Sequence, residues 1–198
     1  MSQNNPEPCE LAEVIYEKPL SGAFEEVPFG SELGNTLWVK FSDKNGINEW
    51  IGKFADGKRS GSRRVKKIEE PDKFIVCAGG YAYLIDATNR SLSNQFCNDW
   101  ADEIVYDSKT GNFIVSDGIR LRIIQAGKET WASKRIALAG IRELKIEGQM
   151  VSGLADVGQD NAEEKFTLDL GTHEIKCAID LSSWDNFWQN SRKKKTCR

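Results

Sequence analysis

Lys73-Phe74-Ile75-Val76-Cys77-Ala78-Gly79-Gly80-Tyr81-Ala82-Tyr83-Leu84-Ile85-Asp86 is the stretch that decides the fold. Two short apolar runs flank a glycine turn, each too short for an ordinary helix and rich in residues that suit a pleated surface. Side chains in both registers are apolar, so Phe74–Ala78 and Tyr81–Ile85 read as strands covered on both faces. Elsewhere the chain alternates with period two. Leu37, Val39 and Phe41 alternate with Trp38 and Lys40; Ile119, Leu121 and Ile123 with Arg120 and Arg122; Phe166, Leu168 and Leu170 with Thr167 and Asp169. Turn chemistry separates these runs at Lys44-Asn45-Gly46, Lys109-Thr110-Gly111-Asn112, Asp117-Gly118 and Glu147-Gly148-Gln149. The pattern predicts an all-β chain of antiparallel meander sheets, with roughly ten to twelve short strands.

The deciding stretch recurs. Phe74-Ile75-Val76, Gly79 and Leu84-Ile85 return 39 residues later as Phe113-Ile114-Val115, Gly118 and Ile123-Ile124, and a fainter copy follows at Met150-Val151-Ser152. A period near 40 with several strands per unit is the spacing of propeller blades, each a four-stranded meander. Residues 72–92 resemble a blade of the quinoprotein or WD40-like kind: apolar strand, glycine turn, apolar strand ending in Asp86, then a turn at Ala87-Thr88-Asn89-Arg90. The Trp-Asp signature of that family does not recur; Trp184-Asp185 stands outside any repeat. The resemblance implies a propeller-like fold, partial or of about four blades, with a blade-like sandwich as the alternative.

The 198 residues carry 27 Lys and Arg against 30 Asp and Glu, and 39% are hydrophobic, a globular composition. Charge is segregated. Residues 1–34 sum to −6 and hold four of the five prolines, which reads as an acidic, irregular N-terminal arm. Residues 35–190 read as a single β domain. Near its end, Leu181, Trp184, Phe187 and Trp188 share one face at helical spacing, predicting a short C-terminal helix that docks on the sheet. Residues 191–198 read as a basic tail. No run approaches a membrane span, and the polar start has no signal-peptide pattern. Five cysteines without a CxxC pair argue for neither a disulfide framework nor a zinc site, so the expected compartment is the cytoplasm and the expected cofactor and metal content is none. Cys77 and Cys177 read as small core hydrophobes, Cys9 and Cys197 as exposed.

Lys58, Arg59, Arg63, Arg64, Lys66 and Lys67 lie within ten residues, separated by Gly, Ser and Val. They form the candidate partner-binding site, read as a loop that steers an acidic protein partner. A second reading has the same loop tracking a nucleic-acid backbone. Against it stand the net charge of −3 and the lack of aromatics interleaved with the cations. Gly52 to Arg59 nearly matches a phosphate-binding loop, but Arg59 occupies the position where Ser or Thr would hold Mg²⁺. Asp99, Asp102 and Glu103 surround Trp100, and a dispersed carboxylate pair of this sort would serve a carbohydrate-acting hydrolase, a third reading. The acids of Asp156–Glu164 lack the EF-hand pattern. No catalytic constellation emerges, so the chain reads as a non-enzymatic protein-interaction module. The resemblance adds a finer expectation, since small bacterial β proteins of this look include toxin-neutralising, immunity-type proteins.

Overall fold

A computed structural model describes residues 9–31, 35–43, 45–58, 63–97, 100–158 and 163–177. Among these residues there is no helix, and sixteen strands form four four-stranded sheets. The expected helix at 181–190, with Trp184 and Trp188, and the tail 191–198 lie outside the described residues, as does Cys197.

The chain divides into two compact units at Asp102/Glu103, where the sequence reading expected a single domain over 35–190. In the first unit, one sheet comprises β1 (Cys9–Ile15), β2 (Glu25–Phe29), β3 (Asn35–Asp43) and β4 (Trp50–Asp56) in the order β1-β3-β4-β2. A second sheet is the plain meander of β5 (Arg63–Lys67), β6 (Lys73–Ala78), β7 (Tyr81–Asp86) and β8 (Ser91–Phe96). The second unit holds two more meanders: β9 (Glu103–Asp107), β10 (Asn112–Ser116), β11 (Leu121–Gln125) and β12 (Lys128–Ala132), then β13 (Ile141–Glu147), β14 (Met150–Asp156), β15 (Glu163–Asp169) and β16 (Ile175–Cys177).

The repeat seen in the sequence is structural. Its first copy is the β6–β7 hairpin, its second the β10–β11 hairpin, and its faint third copy falls on β14. In β6 and β7 the residues Phe74 to Ala78 and Ala82 to Ile85 are all buried, as two covered faces require. The tight turn between them is Gly79-Gly80, both at positive φ, where glycine carries no Cβ penalty. Another recurring device ends three strands. Asp86, Asp107 and Asp169 each turn a carboxylate onto amides just downstream: Asn89 N–H, Lys109 N–H, and the Gly171 and Thr172 N–H groups. The fifth residue of each turn, Arg90, Gly111 or His173, takes a left-handed φ of 51°, 72° or 59°.

Two stretches fold differently from the sequence reading. Within the expected irregular arm, β1 pairs antiparallel with β3 and β2 runs parallel to β4. Pro28 fits because β2 is an edge strand, where a missing N–H costs no ladder bond. Within the expected loop, residues 63–67 are β5, paired with β6 from Arg63↔Ala78 to Lys67↔Phe74.

Each unit has its own core. In the first, Phe29, Leu37, Phe41, Trp50, Phe54, Phe74 and Tyr83 pack between the two sheets, with Ala12, Val14 and Val65 against them. Phe41 stacks on Trp50 at 4.3 Å and Phe29 on Phe54 at 4.9 Å between ring centroids, the offset geometry aromatic pairs favour. The Phe54 ring lies over Gly52, where a Cβ would come within 2.5 Å of it. In the second unit Ile114, Leu121, Ile141, Val151, Phe166 and Leu168 form the corresponding core. Cys77 and Cys97 are buried; Cys177, expected in the core, is half-buried on the short strand β16.

Candidate interaction surface

β5 exposes Arg63, Arg64, Lys66 and Lys67, and its one half-buried residue is Val65. Val65 packs on the first unit's core, so a single apolar side chain and the ladder to β6 fix the strand. Successive side chains alternate across a strand. Arg64 and Lys66 therefore share one face, about 7 Å apart along it, while Arg63 and Lys67 flank Val65 on the other. β5 is the edge of its sheet and lies beside β1.

The two ends of this basic strand are held in different ways. Arg63 forms an ion pair with Asp56, whose side chain is 0% exposed. One Asp56 oxygen, Oδ1, is buried without a hydrogen-bond partner, so the carboxylate's main compensation is that guanidinium. Nearby, the Tyr83 hydroxyl donates to the Ala55 carbonyl at 2.9 Å. Burial, with smaller contributions from Tyr81 and Asp56, pushes its pKa up to about 12. At the other end the Lys67 ammonium lies 5.8 Å from the Phe74 ring centroid, a cation–π contact that lays its stem along the core.

Five of the six candidate residues are thus brought to one strand and its approach: Arg63, Arg64, Lys66 and Lys67 on β5, and exposed Lys58 just past β4. Arg59 lies outside the described residues. The sequence placed them on a flexible loop because Gly and Ser precede them and only Val65 is apolar. The pairing partner that makes them a strand is supplied by β6, a non-local contact.

The other motifs resolve structurally. Gly52 to Asp56 of the phosphate-loop-like segment belong to β4, so no helix N-terminus follows to cradle a phosphate. Asp99 is outside the described residues, while the Trp100 and Ala101 amides donate to the Gly80 carbonyl at 3.1 and 2.9 Å, tying this segment to the β6–β7 turn. Asp102 and Glu103 are half-buried, Glu103 as the first residue of β9. Among the described residues no group of three or more His, Cys, Asp or Glu is placed to hold a metal ion. No helix among them is long and apolar enough to cross a membrane.

Two features escaped the sequence reading. Arg90 reaches from its strained turn to pair with Glu25, its guanidinium carbon 5.9 Å from the Trp50 ring centroid. Lys40 sits between Glu49 at 2.7 Å and Glu13 at 4.0 Å, on the wall of a groove of about 530 Å³ that Leu11 and Gly46 also line. The Glu49 hydrogen bond outweighs partial burial and raises the Lys40 pKa. No local pattern announces either cluster, since each joins residues from separate segments of the chain.

Four sheets of four strands, three of them complete meanders, define the class as an all-β fold of propeller-blade sheets. The solved structures it resembles are propellers. Hydrazine synthase of Kuenenia stuttgartiensis matches 82% of this chain and 52% of its own at 12% identity and a TM-score of 0.54. The WD40 domain of Neurospora crassa Pan2 matches 71% of this chain and 47% of its own, at 8% identity and a TM-score of 0.49. The N-terminal domain of Nup159 matches 63% and 35%, at 13% identity and a TM-score of 0.43. This chain spans about half the length of the hydrazine synthase chain, and at such identity the likeness is one of fold. No protein-family model and no curated protein matches the sequence.

Proposed function

We propose that this chain is a non-enzymatic protein-interaction module that presents β5 and Lys58 to an acidic surface on a protein partner. The observation that carries this reading is the ordered display of cations on one edge strand, with Val65 packed on the core and Arg63 held by buried Asp56. Charges fixed on a paired strand lose less conformational freedom on binding than charges on a loop, and a basic patch accelerates encounter with an acidic one. The fold fits the reading, since propeller-like sheets supply a rigid scaffold on which a surface site can be carried. A toxin-neutralising, immunity-type role is the finer instance drawn from the resemblance. The expected compartment is a reducing cytoplasm, as the five cysteines without a CxxC pair suggest.

The test compares the parent with a variant carrying Arg64→Ser, Lys66→Ser and Lys67→Ser. Proteins captured from native lysate by the parent are identified, and association kinetics with the purified partner are measured for both chains. The variant should associate severalfold more slowly, with a weaker salt dependence and little change in dissociation. Sub-micromolar, salt-sensitive RNA or DNA binding that the same substitutions abolish would overturn the protein-partner reading.

A further inference from the structure

An unpaired sheet edge is a template for another strand, and folded proteins blunt it with charges, proline, short length or a cover. In each unit the first strands of the two sheets lie side by side, β1 by β5 and β9 by β13. That leaves β2, β8, β12 and β16 as the outer edges among the described residues. Three are blunted. β2 carries Glu25, Glu26 and Pro28; β12 carries Lys128 and Glu129, the latter paired with Arg122; β16 is three residues long and contains Lys176.

β8 differs. Its sequence, Ser91-Leu92-Ser93-Asn94-Gln95-Phe96, has neither a charge nor a proline over six residues. Ser91, Leu92, Ser93 and Gln95 are exposed, Leu92 at 40% being one of six exposed large hydrophobic side chains among the described residues. Among the described residues its protective device is a bulge opposite Leu84/Ile85, which leaves Ser93 out of the ladder and twists the strand without adding a charge.

We propose that β8 is a self-association edge that pairs antiparallel with β8 of a second copy of this chain. Two-fold antiparallel pairing sets a strand against its own reversed sequence, so a charge near the axis faces its own copy. β16, with Lys176 at its centre, meets that repulsion when centred, and β2 meets it in registers centred on Glu25 and Glu26. In β12 pairing must desolvate Lys128 and Glu129, whereas β8 carries no charge in any register. Its Ser, Asn and Gln side chains can hydrogen-bond across the new pair, and Leu92 is covered. The joined sheet would run through eight strands, four from each copy. Six residues of edge bury less than the roughly 1,000 Å² that a stable interface needs, so the dimer is weak and concentration-dependent.

Sedimentation velocity of the full chain, from low micromolar to near-millimolar concentration, tests this. The expected result is a reversible monomer–dimer equilibrium whose strength barely changes with salt. Leu92→Lys and Gln95→Lys, both at exposed positions, should each weaken it by about tenfold or more while the near-ultraviolet circular dichroism stays unchanged. Amide exchange at residues 91–96 should slow as concentration rises. A chain that stays monomeric throughout overturns the proposal, as does a dimer that survives both lysine variants. Exchange protection of 91–96 that is independent of concentration means that the chain covers this edge itself, and overturns it too. A salt-sensitive dimer lost on substituting Arg64 and Lys66 would assign association to β5 instead.

Discussion

Replacing Gly79 by alanine tests the packing that joins the β6–β7 turn to the base of the basic strand. Gly79 has a φ of +55°, and a Cβ built there would lie 2.5 Å from Asp56 Oδ1 and 2.5 Å from both N and O of Gly57. Two costs follow. The left-handed backbone penalises an L side chain by about 1–2 kcal/mol. The close atoms belong to backbone and to a buried carboxylate held by Arg63, so they yield only by displacing β4, an overpacking cost of about 1–3 kcal/mol. Gly148 supplies the control: its φ is +65° with nothing within 4 Å of the built Cβ, so alanine there incurs the backbone term alone. The expected destabilisation is about 2–5 kcal/mol for Gly79→Ala against about 1–2 kcal/mol for Gly148→Ala. In urea unfolding followed by tryptophan fluorescence, the Gly79→Ala midpoint should drop by about 1–2 M with the slope unchanged. Equal costs at the two positions would refute the close approach of Gly79 to Asp56 and Gly57, and with it the buried anchor that orders Arg63.

Two further outcomes follow from local geometry. Ala126 and Gly127 form the two-residue turn between β11 and β12 with φ of 48° and 78°, a conformation that favours Asn-Gly; Ala126→Asn should stabilise by about 0.5–1 kcal/mol and raise the melting temperature by a few degrees, measured by calorimetry. Asp43 is buried, which pushes its pKa up. Hydrogen bonds from Ile47, Asn48 and Asn45 outweigh that and hold the carboxyl below its ordinary value. A carboxyl depressed in the folded state contributes stability that is present above the unfolded pKa near 3.9 and is lost as pH falls through the folded value. Asp43→Asn should therefore melt below the parent at neutral pH, with the gap narrowing under about pH 4; a gap constant with pH would count against the charge-assisted turn.

What the sequence made legible was whatever is buried on both faces or repeats. The run Phe74 to Ala78 could be placed without any partner, because no helix or loop of that length buries every side chain, and its echo at Phe113 exposed the blade period. Strands at the edges carried no such mark. β8, β12 and β16 are short with polar faces, and β1 and β2 sit among prolines, so the sequence count of ten to twelve strands falls short of the sixteen among the described residues. β5 is the instructive case. Charges occupy both of its faces, so period two had no contrast to show, and its strand character comes from backbone bonds to a neighbour whose own pattern was plain. The candidate site was thus readable as a set of cations but not as a surface. Edge strands contribute few side chains to the core and are free to carry charge there. The same freedom that erases the hydrophobic signal leaves the edge available for recognition, by charge on β5 and by its absence on β8.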